Sequence, residues 1–308
     1  MTAYLLQRII WIVPVLLAVA VVTFVLMHQI PGGPWDRSKP LPPEALENVN
    51  HAYGLDRPLW EQFGSYLLGL ARGDLGVSFR SRNQPVADVL ADGVRVSATL
   101  GALALVVSVT VGVGLGVISA LRQNTALDYV AVAFATVGAS VPSFILGMLL
   151  LVVFTGQLHW LPSGGWGSPQ QAVMPVLALS ALPAAYIARV TRASMLDVLH
   201  QDYVRTARAK GLREQAVVVR HMLRNAMIPV LTIVGPLAAV LVTGSFIVEQ
   251  LFAVPGLGRA FVTSIRARDY GVIMGITLFY TFVVVVANLL VDLLYALIDP
   301  RIRYQSHG

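Results

Sequence analysis

The sequence predicts an all-α integral membrane protein with six transmembrane helices and a long external segment between the first and the second. Three observations carry this expectation. Of the 308 residues, 56% are hydrophobic and 12% charged, with a mean hydropathy of +0.71, far from the balance of a water-soluble domain. Apolar residues collect in six runs, each long enough to cross a hydrocarbon core of about 30 Å at about 1.5 Å per helical residue. The basic residues sort to alternate loops, as they do across a cytoplasmic membrane.

The first run, 9–30, follows Arg8 and carries Pro14 near its start. It is longer than the apolar core of a secretory signal, and MHQIPGGPW lacks a small-x-small cleavage site, so residues 1–30 read as a retained helix. Residues 31–95 then form an extracytoplasmic segment of mixed charge. Within it, 58–73 set Leu59, Phe63, Tyr66, Leu67 and Leu70 at helical spacing, with Pro58 at the start and Gly73 at the end. This is the pattern of an amphipathic helix resting on the outer membrane surface or on the bundle.

The remaining runs, 96–120, 130–155, 172–190, 227–252 and 273–298, form a five-helix core over 96–300. Gly112 and Gly116 in the first of these have the small-xxx-small spacing that lets helices approach closely. Pro142, Pro175, Pro183 and Pro236 are expected to bend the middle helices, since each removes a backbone donor. Such breaks are tolerated along a substrate pathway, which makes Ser140, Pro142 and Ser143 the pathway candidates. In the last run Asp292, with Asn288 one turn away, reads as a structural polar contact, with a proton-relay role as the alternative.

Charge sets the expected orientation. With the N-terminus inside, Arg8, Arg122, the eight basic residues from Arg189 to Arg224, and Arg301 and Arg303 are cytoplasmic, while the short outer loops carry Arg259, Arg266 and Arg268. Both termini then lie in the cytoplasm, with 301–308 as a tail. The basic balance is thus explained by membrane orientation and lipid contact, and no nucleic-acid partner is expected.

Several chemistries are excluded by what the chain lacks. It has no cysteine, so thiol catalysis and thiolate metal sites are excluded. Its two lysines, Lys39 and Lys210, stand outside any G-x-x-x-x-G-K-[ST] context, and no H-E-x-x-H or other metal-ligand cluster occurs. The chain is therefore not expected to be an enzyme, to hold a metal or cofactor, or to bind ATP by that loop. A self-sufficient secondary transporter or channel and, more remotely, an intramembrane protease remain as alternatives.

The segment 197–226 is the main cytoplasmic excursion. A helix is predicted over 197–210, with Val198, Leu199, Val204, Ala207 and Ala209 among basic residues, ended by Gly211. A second follows over 213–226 with a stripe of Ala216, Val217, Val219, Leu223 and Met227, and Leu212 tips the turn. A plain positively charged loop, a pair of membrane-surface helices and a docking element are all compatible with this composition.

The spacing of the small residues, Gly211 and the following HMLRNAMIP resembles the cytoplasmic EAA loop of ABC-importer permeases. Arg205, Thr206 and Ala207 stand at the E-A-A positions and three of seven motif positions match. Elsewhere GLDRPL (54–59), GDLGVSF (73–79), YVRTARAKGL (203–212), VPGLGRAFVTSI (254–265) and NLLVDLLYALIDPRIR (288–303) are similar to the B-type permease of dipeptide/oligopeptide ABC importers. That subfamily also serves nickel, opines and glutathione. The likeness runs from about Tyr4 to Arg303.

This resemblance implies the type I ABC importer permease fold in a bacterial cytoplasmic membrane. It implies a second, homologous permease as heterodimer partner, two ATPase subunits that bind ATP and Mg, and an extracytoplasmic substrate-binding protein. It implies peptide cargo and alternating access driven through a coupling helix in 197–226. The residues that would face the ATPase are Tyr203, Arg205, Thr206, Ala207, Arg208, Lys210, Gly211, Leu212 and Arg213. Ala207 and Gly211 would allow close approach, and Arg205, Arg208, Lys210 and Arg213 would pair with acids of the ATPase.

Overall fold

The computed structural model describes residues 2–30, 42–81 and 84–298; side chains at 2–9, 43, 45, 52 and 290–298 fall outside the description. The described chain is helical. In order, it forms α1 (Thr2–Gln29), α2 (Pro43–Ala52), α3 (Leu59–Ala71), α4 (Val86–Leu121), α5 (Ala126–Ser140) and α6 (Ser143–Leu150), which continues as a π-helical stretch, Leu151–Gln157. There follow α7 (Pro169–Leu199), α8 (Asp202–Ala209), α9 (Glu214–Ala216), a second π-helical stretch, Val217–Leu223, α10 (Arg224–Val242), α11 (Phe246–Leu251), α12 (Leu257–Ala267) and α13 (Tyr270–Ile298).

Five stretches are long and apolar enough to cross a membrane: Ile10–Gln29, Val86–Leu121, Pro169–Leu199, Glu214–Leu251 and Tyr270–Leu289. The sixth expected span, 130–155, is instead two helices, α5 and α6 with its π extension, bent by 105°. The bend lies where Val141, immediately before Pro142, adopts φ −89°, ψ 120°. A residue preceding proline is pushed out of the helical region by the ring, and here that preference prevails. Counted as one, the bent pair brings the number to six. The other prolines behave differently from expectation: Pro175 and Pro183 lie inside α7 and Pro236 inside α10, each within an unbroken helix. The second span also begins earlier, at Val86 rather than 96, because the amphipathic sequence before the apolar run is itself helical.

The chain divides into two compact units. Among the described residues, one comprises those of 2–96 and 255–289. Its core joins Ala20 and Met27 of α1 to Ile273, Met274 and Leu278 of α13, and α3 packs Phe63, Tyr66 and Leu70 against them. The amphipathic helix read from 58–73 therefore rests on the bundle through three of its five stripe residues, while Leu59 and Trp60 on α3 stay 53% and 74% exposed. A second cluster joins Val86 and Leu90 of α4 to Leu257, Val272 and Ile276. Close approach here depends on Gly275, where an added Cβ would strike the Val86 side chain. Asp269 fastens the loop before α4, accepting from Ser78 Oγ at 2.5 Å and from the Phe79 N–H at 3.1 Å.

The other unit comprises 97–254 and 290–300. Its helices meet through glycines. A Cβ on Gly112 would stand 2.7 Å from the Ala184 carbonyl oxygen of α7, and one on Gly116 would stand 2.5 Å from Thr191 Cβ, whereas Gly114 has nothing within 4 Å. The Gly112/Gly116 pair is thus the α4–α7 seam, as its spacing predicts. Gly101 makes the same kind of contact with the Leu241 backbone of α10. At one end of this seam Asp128 of α5, 3% exposed, holds Arg192 of α7 through two bonds of 2.9 Å and accepts from Ser119 Oγ of α4. A charge removed from water is retained only where its partners satisfy it, and this one has a guanidinium, a hydroxyl and the Asn124 N–H at 3.0 Å. Asn288 is exposed on α13, and its expected companion Asp292 lies outside the described side chains.

Candidate functional site

The helix expected over 197–210 is interrupted. α7 ends at Leu199, Gln201 adopts an extended conformation (φ −74°, ψ 146°), and α8 begins at Asp202. α8 closes with a Schellman turn: the Gly211 N–H donates to the Arg208 carbonyl at 2.9 Å and the Leu212 N–H to the Ala207 carbonyl at 3.4 Å. Gly211 has φ +75°, the left-handed region that a side chain disfavours. Arg213 then extends the chain and α9 starts the return. The second predicted helix is no separate element, since it runs through Val217–Leu223 directly into α10.

The hairpin sits on an apolar seat. Val204 and Ala207 of α8 are buried with Val217, Val218, Met222 and Ala226 of the returning strand of helix, against Met195 and Ala120. The predicted stripe is corrected here: Val219, expected inward, is 61% exposed, and Val218 and Met222 are inward instead. A π-helical turn holds more residues than an α-turn, so the inward positions shift.

The expected coupling residues divide accordingly. Ala207, 4% exposed, packs inside this chain's own core and offers no surface. Arg208 binds Glu214 of the same chain, Nη2 to Oε1 at 2.7 Å and Nε to Oε2 at 3.2 Å, so its charge is met internally. This pairing holds the Arg208 proton more firmly than in a free guanidinium. Tyr203 Oη accepts from Asn225 Nδ2 at 3.0 Å, and Thr206 Oγ1 donates to the Asp202 carbonyl at 2.9 Å. Arg205 stands 3.9 Å from Asp202, a loose contact between two exposed groups. Lys210, Gly211, Leu212 and Arg213 form the exposed tip, with Leu212 43% exposed.

The same unit contains a cavity of about 550 Å³ walled by α7, α10 and the break before α11. Leu182, Pro183, Leu237, Val240 and Phe246 make it largely apolar, and Ser143, Tyr186, Arg189 and Ser245 supply its polar groups. Of the three pathway candidates, Ser143 lines it. Ser140 does not; its hydroxyl donates to the Thr136 carbonyl at 2.8 Å. Pro142 contributes the bend.

Sequence reasoning missed Tyr186, and it took Arg189, at the end of the 172–190 run, only as a cytoplasmic charge. It also missed Glu249, which lies within the fifth run and is 0% exposed. Its Oε1 accepts from Ser97 Oγ at 2.8 Å and from the Ser245 N–H at 3.3 Å, fastening the break at Thr243–Ser245 to α4. A Cβ at Gly244, whose φ is +90°, would strike that carboxylate oxygen. Among the described residues no group of three or more His, Asp or Glu is placed to hold a metal.

The family described as binding-protein-dependent transport system inner membrane component matches residues 112–304, and its N-terminal region matches 1–101. The chain belongs to this family. It is an integral membrane permease subunit of the ABC-importer class. The dipeptide transport system permease protein DppB of Bacillus subtilis is 44% identical over 308 residues, all of both chains. The oligopeptide transport system permease protein OppB of Salmonella typhimurium is 42% identical over 306 residues, 99% of this chain and 100% of that one.

Two solved structures share the permease fold. One is the crystal structure of an amino acid ABC transporter with histidines, with a TM-score of 0.51 and 20% identity, covering 68% of this chain and 93% of that one. The other is the MetNI methionine ABC transporter in inward-facing conformations, with a TM-score of 0.51 and 18% identity, covering 66% and 95%.

Proposed function

We propose that this permease imports di- or oligopeptides as one of two related permease subunits, driven by two ATPase subunits that bind ATP and Mg and supplied by an extracytoplasmic binding protein. Its relatives DppB and OppB, permeases of dipeptide and oligopeptide transport systems, support the cargo. Both termini, including the 301–308 tail, are cytoplasmic in this reading. Segments 31–95 and 253–272 lie outside and receive the binding protein, and 96–300 is the permease core.

The observation that carries the reading is the seat of the hairpin. A short helix with an exposed basic tip is held by side chains that are fully buried, Val204, Val217 and Met222, each 0% exposed. Such an element moves as a body with the helices beneath it rather than as a loose loop. Closure of the ATPase pair would displace the tip formed by Lys210, Gly211, Leu212 and Arg213, and the seat would pass that displacement to α7 and α10, which wall the cavity. Alternation of the cavity between the two sides of the membrane is then a shift between two populated states.

The test is Gly211→Leu in the reconstituted four-subunit complex with binding protein. A Cβ there meets nothing within 4 Å, so the strain is that of the left-handed backbone alone, on the order of 1–2 kcal/mol, and Gly211→Asn relieves most of it. ATP hydrolysis should continue while uptake falls for the leucine variant and recovers for the asparagine variant. Uptake coupled normally in Gly211→Leu overturns the coupling assignment. Peptide flux in liposomes from this chain alone, without ATP, overturns the importer reading.

A further inference from the structure

The cavity walled by α7, α10 and the Thr243–Ser245 break carries one charge. Arg189 is the only residue of its lining that is charged at neutral pH, and its guanidinium lies 6.0 Å from the centroid of the Tyr186 ring. Among the described residues no carboxylate stands within ion-pairing distance of it. Two buried acids of the same unit are committed elsewhere: Asp128 binds Arg192 with two bonds of 2.9 Å, and Glu249 accepts from Ser97 at 2.8 Å. The cavity therefore presents an uncompensated guanidinium, laid on an aromatic face, in a wall made of leucines, a valine and a proline.

Arg189 is exposed on the wall of this cavity at the end of the apolar run of α7, where a cation with no acid in reach is open to an anion that enters the cavity. The ligand it fits is an anion small enough for a planar, two-pronged donor, and a carboxylate matches that fork. Peptides of different sequence share only their backbone and their two ends. A largely apolar wall with two serines, a tyrosine and a single charge accepts varied side chains and selects for a terminus.

We propose that Arg189 receives the C-terminal carboxylate of the peptide as it passes through the cavity, with the Tyr186 ring and the apolar wall taking the adjoining residue. This rests on reading the cavity as the passage.

The experiment uses the reconstituted complex with binding protein saturated by either a peptide or its C-terminal amide, so that the binding protein's own preference does not enter the maximal rate. The wild type should carry the acid about tenfold faster than the amide, the size one charge-assisted hydrogen bond supports. Arg189→Gln should bring the ratio near one by slowing the acid and leaving the amide rate as it was. Arg189→Lys, which keeps the charge and loses the fork, should lie between them. Equal wild-type rates for acid and amide overturn the proposal without any variant. So does an unchanged ratio in Arg189→Gln, which would leave Arg189 as a cation marking the membrane boundary. Leu182→Trp separates this failure from that of the passage itself: filling the cavity should slow acid and amide alike, and undiminished uptake would mean that peptides do not travel through it.

Discussion

Arg208 and Glu214 clasp each other across the turn made by Gly211, through two bonds of 2.7 and 3.2 Å. The pair joins the end of α8 to the start of α9, and its side chains are 39% and 57% exposed. Solvent screens a pair this exposed, so it adds about 1 kcal/mol or less to stability. Its use is to hold the two arms of the hairpin together. Arg208→Ala and Glu214→Gln should each shift the unfolding free energy by less than about 1 kcal/mol while raising the ATP hydrolysed per peptide imported. The exchange Arg208→Glu with Glu214→Arg should restore the ratio, measured in proteoliposomes. A swap as defective as the single variants would mean that Arg208 is needed by the ATPase instead.

The α4–α7 seam distinguishes two glycines that are two residues apart. Gly116→Leu would drive a side chain into Thr191 and Ala188, and Gly114→Leu would enter open space. Overpacking costs about 1–3 kcal/mol, more when backbone must move, so Gly116→Leu should lower the melting temperature in detergent and Gly114→Leu should leave it unchanged. Equal melting of the two variants would contradict the seam.

The buried Asp128–Arg192 pair gives an asymmetric expectation. Asp128→Ala leaves a guanidinium without its partner and should destabilise by about 3–5 kcal/mol. Replacing both, with Asp128→Leu and Arg192→Met, should recover a large part of the loss, because no charge is then left stranded. Unfolding of the four species as a double-mutant cycle measures the coupling; strictly additive effects would show that the two residues act separately.

On α3, burial pushes the Tyr66 hydroxyl up to about 12, and it has no hydrogen-bond partner among the described residues. The folded pKa exceeds the unfolded one of about 10, so the neutral phenol's contribution is fully present below pH ~10 and is lost as pH rises towards ~12. Tyr66→Phe should be neutral or stabilising by up to about 1 kcal/mol at pH 7 and should flatten the decline between those values. Thermal melts at pH 7 and pH 11 provide the check, and a large loss at pH 7 would reveal a partner for the hydroxyl.

The long helices and the amphipathic α3 were legible because their signals are local: apolar runs, glycine spacing, and Pro58 and Gly73 flanking α3. Gly112 and Gly116 stood out for the same reason. The hairpin was only half legible. Its end at Gly211 follows from local backbone chemistry, but the inward face of its returning arm depends on a π-helical turn whose extra residue no periodic pattern announces. The internal capture of Arg208 was likewise hidden, since it requires the chain to reverse before Glu214 comes within reach. Glu249 and Arg189 were visible as charges within apolar runs. What they touch depends on Ser97 and on a cavity built from segments far apart in the chain, which spacing alone does not bring together.

The π-helical stretch Val217–Leu223 joins the hairpin to the fifth span. Deleting one residue there would let the segment close as ordinary α-helix, and since six α residues at about 100° each sweep nearly the same angle as seven π-helical ones at roughly 85°, the hairpin would keep its facing on the span. Val204 and Ala207 would stay on their seat. Chain length within these seven residues therefore has slack, absorbing a deletion that in the flanking α-helix would turn the hairpin by about 100°.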